Sequence, residues 1–279
     1  MQTDAFYQII RETETPRGTA ALWWLGQMGV WIRLGDALVS VDTYASPNPD
    51  RQVPPPVPAA EVRGLSLILG THDHIDHIDH PSWKIWAETC PEARFVFPRK
   101  CLEALRADGI PEDRLVGLND GEAVTLGGVT VRAVAAAHEF LDREEETGLV
   151  PALQYILEGN GVRIYHAGDT VRYEGMLPAL RALGPLDAAV LPINGRDARR
   201  YRSNCIGNMT FQEAADLAGE LAPDTVIPGH WDMFASNSED PEQFRDYLDA
   251  KYGPGIRCVI PDYQKTIRIG AVREGIDTF

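Results

Sequence analysis

Cysteine is scarce in this chain and is not arranged in pairs. The four cysteines lie far apart in the sequence and form no C-x-x-C motif: Cys90, Cys101, Cys205 and Cys258. That spacing argues against a disulfide-rich scaffold and against a thiolate zinc site. We interpret all four as reduced, partly buried residues of a cytosolic protein.

Long apolar runs and a leader-like beginning are also missing from the sequence. Residues 1–6 carry neither the basic region nor the apolar region of a secretory signal. No run of apolar residues approaches the roughly 20 that are needed to cross a bilayer. We therefore expect a cytoplasmic protein with no membrane partner.

Positive charge is in short supply. The chain has 279 residues, with 26 Lys and Arg against 41 Asp and Glu, and a formal net charge of −15. Binding to a nucleic-acid backbone requires a basic surface, so we expect no nucleic-acid partner. A small anionic substrate remains compatible with this charge, because a local basic patch would be enough to hold it.

The chain contains β-type segments with helical segments between them in both halves. Strands are predicted at 20–25, 29–34, 37–41 and 65–69, then in a second block at 95–97, 129–135, 152–157, 162–165 and 188–191, and finally at 225–227, 255–260 and 266–269. Helices are predicted at 4–13, 81–89 and 99–107, from the Thr210 capping box to 221, and from Asp240-Pro241 to 252. The pattern predicts an α/β (α+β) fold with helices outside sheets, in one domain over residues 1–279.

Residues 71–80 read Thr-His-Asp-His-Ile-Asp-His-Ile-Asp-His. Within this run the H-x-H-x-D-H motif consists of His72, His74, Asp76 and His77. Imidazole and carboxylate are the ligands that zinc and similar metals take. The run lies between an apolar strand and a predicted helix, and such a loop is a common place for a site. The sequence therefore predicts a metal site here.

Three further potential ligands each follow a predicted strand: His138, Asp169 and His230. Taken singly, a histidine at a strand end is usually a hydrogen-bonded surface residue, and Gly-Asp is usually a turn. Together with the first cluster, however, the strands could deliver all three to a common rim. We interpret His166 as structural, and His80 as a helix-entry residue in packing or solvent, with a contact behind the ligands as its alternative.

These residues together suggest two divalent ions. One ion would be held by His72, His74 and His138, the other by Asp76, His77 and His230, with Asp169 as a bridge. Two adjacent cations lower the pKa of a shared water and polarise a carbonyl or phosphoryl oxygen. We therefore expect hydrolysis by attack of a metal-bridging hydroxide. The expected catalytic residues are Asp76 and His230, and Asp76 could accept a hydrogen bond from the hydroxide and aim it.

The metal motif and its surroundings resemble the metallo-β-lactamase superfamily, and within it the L-ascorbate-6-phosphate lactonase-like group. The matching pieces are Trp23–Gln27 with Gly29, Val41-Asp42, 71–79, Tyr165–Asp169 and Val226–Trp231. The resemblance implies a four-layer αββα sandwich, the ligand roles just given, zinc or manganese as the two ions, and a homo-oligomer. The chain departs from the lactonase in being shorter around the first histidine cluster and in an acidic run within 136–150, so the exact substrate stays open.

A basic loop stands out in this acidic chain. Residues 192–208 contain four arginines, including Arg196, Arg199 and Arg202, with only Asp197 of opposite charge. Arginine binds carboxylate and phosphate through a planar fork. We predict that an anionic substrate group contacts Asn194, Arg196, Arg199, Arg202 and Asn208. The alternative is that these arginines pair with acidic residues at a subunit interface. Trp231 follows a predicted ligand and could line the pocket.

The leading functional prediction is a binuclear metal-dependent hydrolase that opens a lactone of a small anionic sugar-type substrate. A phosphodiesterase of the same superfamily is the first alternative, because the same site could attack phosphorus. A non-enzymatic metal- or metabolite-binding protein is the second, and loss of a ligand would favour it. No ligand of the predicted set is lost.

Overall fold

The computed structural model describes residues 3–202 and 204–270. The described strands are β1 (Ala20–Gly26), β2 (Gly29–Leu34), β3 (Ala37–Val41), β4 (Leu67–Leu69), β5 (Arg94–Pro98), β6 (Leu115–Leu118), β7 (Ala123–Leu126), β8 (Val129–Ala135), β9 (Leu153–Gly159), β10 (Val162–His166), β11 (Ala188–Pro192), β12 (Thr225–Gly229), β13 (Arg257–Cys258) and β14 (Thr266–Ile269). The described helices are α1 (Thr3–Glu12), α2 (His80–Thr89), α3 (Leu102–Ala107), α4 (Met176–Ala182), α5 (Ala198–Arg202), α6 (Phe211–Leu221) and α7 (Pro241–Tyr252).

The strands form two mixed sheets of seven strands each. The first has the order β14-β1-β2-β3-β4-β5-β6, and the second has the order β13-β12-β11-β10-β9-β8-β7. In the first sheet, β3 to β6 are parallel. In the second sheet, β10 to β13 are parallel. The carboxyl ends of these parallel strands therefore share one edge of each sheet, which is where such sheets place a binding site.

Alternation of side chains along the strands separates the core into layers. In β1, Leu22 and Trp24 pack into the cluster between the two sheets, whereas Trp23 packs with α1 and α2 on the outer face. Successive strand residues point to opposite faces, so one apolar strand serves both layers. A third cluster packs the other face of the second sheet against α4, α6 and α7. The result is the predicted four-layer αββα sandwich.

Residues with capping side chains mark the starts of three helices. Asp79 caps α2 by accepting a hydrogen bond from the Ser82 amide, with Pro81 in the first turn. Thr210 and Glu213 form a reciprocal capping box at the start of α6. Asp240 caps α7 ahead of Pro241. These three helix starts agree with the sequence prediction within one residue.

Several elements differ from the prediction. The strand at 94–98 belongs to the first sheet, where it pairs with β4 and β6, and not to the second block. The strand predicted at 255–260 is reduced to Arg257–Cys258. Strands β6 and β7 and helix α4 were not predicted, because their short segments lack a clear apolar period. Part of the basic loop is helical, as α5. Among the described residues, no helix is both long and apolar enough to cross a membrane.

Candidate metal centre

The predicted ligands meet where strands of both sheets end. The loop after β4 carries the H-x-H-x-D-H motif. His72 of this motif forms a bridge with Ala152, the residue directly before β9 of the second sheet. The loop after β8 supplies His138, the end of β10 leads to Asp169, and the end of β12 leads to His230. One sheet thus supplies the motif, and the other supplies the three strand-end residues.

Three imidazoles form the first group. His74 Nδ1 lies 3.0 Å from His72 Nε2 and 3.1 Å from His138 Nε2. Burial and the neighbouring His77 hold the pKa of His72 well below its ordinary range. Burial lowers the pKa of His138 to about 4. Neutral imidazoles with converging nitrogens are what a divalent cation requires.

The second group is formed by Asp76, His77 and His230, whose ligand atoms lie within 4.8 Å of one another. Asp169 stands beside this group, with Oδ1 at 3.4 Å from His77 Nε2 and Oδ2 at 3.1 Å from His230 Nε2. Asp169 also forms a group with His72 and His77. Asp169 therefore lies beside ligand atoms of both sets, and its bridging role stays a prediction.

The charges in this cluster suit a cation. Burial opposes the charge of Asp169, but His230 and His77 hold the pKa of that carboxyl well below its usual range. Burial likewise opposes a charge on His77, but Asp169 and Asp42 raise the pKa of that ring well above its ordinary value, so a cation bound here would displace a proton from the ring. His77 Nε2 and Asp169 Oδ1 are buried and make no hydrogen bond within the described part of the chain. Orphaned buried atoms are rare, and a cation would satisfy these two.

Asp42 is a buried carboxylate that contacts both His77 and Thr71. Its Oδ2 lies 2.7 Å from His77 Nδ1 and accepts a hydrogen bond of 2.7 Å from Thr71 Oγ1. The Thr71 amide donates to the other carboxylate oxygen at 2.8 Å. Because Nδ1 of His77 donates to Asp42, Nε2 is the nitrogen left to face the centre. Asp42 directly follows β3, so the strand-end rule that identified Asp169 would also have found it.

Gln27 is a second supporting residue that the residue patterns did not single out. It is fully buried, and its Nε2 lies 3.2 Å from Asp76 Oδ2. Its carbonyl accepts a 2.9 Å hydrogen bond from the His230 amide. Gln27, in the turn between β1 and β2, thereby contacts one candidate ligand from each half of the chain, Asp76 and His230.

The two remaining histidines lie outside the ligand groups. His166 donates through Nε2 to the Met28 carbonyl at 2.8 Å and accepts from the Gly168 amide at Nδ1, so both nitrogens are occupied. His80 contacts Asp73 through Nε2 at 2.7 Å and Asp108 through Nδ1. The ring of His80 therefore joins the ligand loop to the turn after α3, which is more than helix-entry packing.

A cleft of about 130 Å³ opens above the ligands. Its floor includes Asp76, Asp169 and His230, and its opposite wall includes Asn194, Asn204, Cys205, Asn208 and Asn237. The two predicted asparagines, Asn194 and Asn208, are thus at the cleft. Among the described residues, the cleft is lined by four asparagine side chains and by no arginine.

The structure does not bring the predicted arginines to this cleft. Arg196 forms a two-point ion pair with Glu213, with both N–O distances 2.6 Å, so its planar fork is already occupied. Arg199 and Arg202 are exposed on α5 and are not among the residues lining the cleft. Glu213 belongs to the same chain, so the ion pair of Arg196 is internal. Pairing of Arg199 and Arg202 at a subunit interface stays a prediction.

Trp231 takes a packing position. Its ring stacks on Trp24 with 5.1 Å between centroids and 14° between planes. Its Nε1 donates to the Pro228 carbonyl at 3.1 Å. Trp231 is absent from the residues that line the cleft, so its contribution is to fix the strand end that carries His230.

Comparison with known proteins agrees with this architecture. The family model described as "Beta-lactamase superfamily domain" matches residues 34–231, well over half of the chain. The chain therefore belongs to the metallo-β-lactamase superfamily, and the two helix-flanked mixed sheets are the fold of that superfamily.

Individual relatives are more distant. The chain is 24% identical over 281 residues to the Escherichia fergusonii protein named "Probable L-ascorbate-6-phosphate lactonase UlaG", covering 87% of this chain and 78% of that one. Among solved structures, the metallo hydrolase Igni18 of Ignicoccus hospitalis superposes with a TM-score of 0.71 at 21% identity, over 90% of this chain and 98% of that one. The diiron β-hydroxylase CmlA of Streptomyces venezuelae superposes with a TM-score of 0.67 at 17% identity, over 92% and 55%. At these identities the structural matches establish the fold, and one fold hosts several chemistries.

Proposed function

We propose that this protein is a binuclear metal-dependent hydrolase that opens a lactone or a related ester of a small, polar, sugar-type molecule. The observation that carries the proposal is the convergence of two ligand triads with Asp169 between them. The similarity to curated lactonases over most of the chain supports the ester-opening reaction. Zinc and manganese are the two candidate ions, because imidazole and carboxylate suit both.

The ligand assignment follows the two groups. His72, His74 and His138 would hold one ion, and Asp76, His77 and His230 would hold the other, with Asp169 shared. When bound, such a pair of ions makes water a better nucleophile and polarises the carbonyl that is attacked. The ions also bring positive charge to a cleft whose floor is anionic, so they would attract an anionic substrate without an arginine.

Asp76 is the residue we assign to proton handling. Burial opposes its charge, but His77 and His230 hold the pKa of its carboxyl below the ordinary value, so it is ionised at neutral pH. It can accept the proton of the attacking water and return it to the leaving alkoxide. Gln27 keeps the Asp76 carboxylate oriented through its 3.2 Å hydrogen bond. His230 Nε2 lies 3.6 Å from the same carboxylate oxygen, and the residue lines the cleft where the ester would lie.

The first test combines elemental analysis with turnover. Purified protein should contain about two zinc or manganese ions per chain and should hydrolyse a sugar-phosphate lactone faster than a bis-aryl phosphodiester. Cleavage of the diester alone would assign the protein to the phosphodiesterase alternative. Protein that cannot be loaded with metal would refute the catalytic proposal.

Variants of the ligands provide the second test. His74→Ala and Asp169→Ala should each lose bound metal and lose turnover. The matched control is His80→Gln, which removes a histidine of the same loop that lies outside the ligand groups. Retention of both ions in the two ligand variants would contradict the assignment.

A further inference from the structure

Three asparagines of the cleft wall and Arg200 form a continuous series of hydrogen bonds. Arg200 Nε donates to Asn237 Oδ1 at 3.1 Å, and Asn194 Nδ2 donates to the same oxygen at 2.9 Å. Asn208 Nδ2 then donates to Asn194 Oδ1 at 3.0 Å. Asn194 and Asn208 are almost completely buried. The three asparagines line the cleft above the metal ligands, and the arginine lies behind them.

Arg200 fixes the direction, from donor to acceptor, of every hydrogen bond in this series. A guanidinium group can only donate, so the atom of Asn237 that faces Arg200 has to be the carbonyl oxygen. Asn194 must then present its NH₂ group to Asn237 and its oxygen to Asn208. Asn208 in turn has to donate its NH₂ group, so its Oδ1 is the free end of the series. Because the arginine fixes the first acceptor, this order does not depend on how the oxygen and nitrogen atoms of each side-chain amide are assigned.

Arg200 is itself held firmly in this position. It contacts Asp197 through Nη1 and donates through Nη2 to the Ser238 carbonyl at 2.6 Å. Its side chain is only 9% exposed. The guanidinium group that determines the polarity of these hydrogen bonds is therefore held between Asp197, just before α5, and Ser238 in the turn that precedes α7.

The series of hydrogen bonds ends at Asn208 Oδ1, an acceptor that receives no hydrogen bond from the described residues. Asn208 Oδ1 is buried and has no hydrogen-bond partner within residues 3–202 and 204–270. Buried acceptors are nearly always paired with protein or ordered water, so an unpaired acceptor on a residue that lines the cleft is a candidate contact for a ligand group. An acceptor repels carboxylate and phosphate and accepts from a hydroxyl or an N–H group.

We propose that Asn208 is the acceptor of a substrate-binding subsite for a neutral hydroxyl or N–H group, and that Arg200 is the positioning residue that sets the polarity of this subsite. The inference rests on the proposed ester-opening function and narrows its substrate class. The ester should carry a hydroxyl close to the carbonyl that is attacked, as sugar lactones do. An anionic group of the same substrate lies elsewhere, near the ions.

The experiment compares lactones that differ only in that hydroxyl. The metal-loaded protein is assayed with α- and β-hydroxy-γ-butyrolactone and with unsubstituted γ-butyrolactone. A site built around a substrate hydroxyl rejects the analogue that lacks it, so we expect kcat/KM to favour one hydroxylated lactone by about 10- to 100-fold. Asn208→Leu, which keeps the branched shape and removes both polar atoms of the amide, should reduce that ratio to within about twofold.

Substitution of Arg200 tests the positioning role. Arg200→Met removes the donor that fixes Asn237 and should lower the hydroxyl preference, whereas Arg200→Lys keeps a donor and should restore most of it. Arg245→Met, at an exposed arginine of α7, is the matched control and should keep the wild-type ratio. If Arg200→Met does not fold, Asn208→Leu and Arg200→Lys decide the question. A folded Arg200→Met with the wild-type ratio would overturn the role of Arg200.

Failure of this inference and failure of the proposed function give different results. Turnover of all three lactones at rates within twofold of one another would overturn the subsite while leaving the hydrolase intact. No turnover of any lactone by the metal-loaded protein would overturn the ester-opening proposal. In that case, ligand-observed NMR titration of the same three lactones measures the hydroxyl preference as a ratio of Kd values, and equal values would overturn the subsite too.

Discussion

Nδ1 of His77 lies 2.7 Å from Oδ2 of Asp42, and both side chains are completely buried. A carboxylate behind a metal-binding imidazole fixes the ring and its tautomer, and its loss commonly weakens metal binding 10- to 100-fold, an order-of-magnitude figure. Asp42→Asn should therefore lower metal affinity by about that factor, as measured by competition with a chelator. Asp36→Asn, at the exposed turn before β3, is the control. Equal affinity in both variants would remove Asp42 from the metal centre.

Gln27 should affect the reaction more than binding. Gln27→Met removes the hydrogen bond to Asp76 but keeps the backbone contact with His230, so we expect kcat to fall by about 10-fold with KM nearly unchanged. The control is Gln264→Met, because Gln264 is also buried, has positive φ and donates to a carbonyl, that of Pro56. A loss of kcat common to both variants would point to general destabilisation.

His80 should make stability depend on pH. Burial opposes a charge on the ring, but hydrogen bonds to Asp108 and Asp73 raise the pKa of His80 above its ordinary value. A raised pKa in the folded state gives stability that is complete below the unfolded value of about 6.5 and is lost as pH rises through the folded value. His80→Gln should therefore lower the free energy of unfolding by about 1 kcal/mol at pH 6 and by less at alkaline pH.

Urea unfolding of metal-free protein across this pH range measures the difference between wild type and His80→Gln. The ligand histidines titrate in both proteins, so their contribution cancels in the comparison. A difference that stays constant with pH would mean that the ring packs without being charged.

Gly168 places Asp169 through a backbone conformation that other residues rarely adopt. Its φ is +57°, and a Cβ at this position would lie 2.8 Å from side-chain atoms of Thr71. Gly168→Ala should cost about 1–3 kcal/mol of stability and weaken metal binding, because strain and overlap act together. Gly175→Ala is the matched control, since Gly175 has φ +90° with nothing within 4 Å. Thermal unfolding with and without metal separates the two effects.

Much of this centre can be predicted from local sequence. The H-x-H-x-D-H run and the ligands after β8, β10 and β12 are visible because each stands at a strand end, where parallel sheets expose side chains. Sheets covered by helices likewise follow from the order of apolar strand segments and helical segments, whereas the four-layer αββα arrangement was implied by the family resemblance. A capping box predicted the start of α6, and an Asp N-cap followed by proline predicted the start of α7, because those interactions span only a few residues.

The contacts that depend on distant residues could not be predicted in this way. Nothing in the spacing links Arg196 to Glu213, so the basic loop suggested an anion site when its best-placed arginine was already paired. The hydrogen-bond chain from Arg200 to Asn208 crosses two turns and needs the folded backbone to exist. The assignment of β5 to a sheet likewise depends on a pairing between strands, which periodicity alone does not specify.

The candidate ligands come from both sheets, so metal binding at the proposed centre would be coupled to folding. The unfolded chain separates the H-x-H-x-D-H run from His230 by more than 150 residues, so a cation would find the complete proposed set only in the native state. Mass action would then stabilise the native protein by an amount that grows with the logarithm of free metal concentration. On this proposal, depletion of the bound metal in a cell would make the protein more susceptible to proteolysis, and its abundance would follow metal availability even without regulation of its gene.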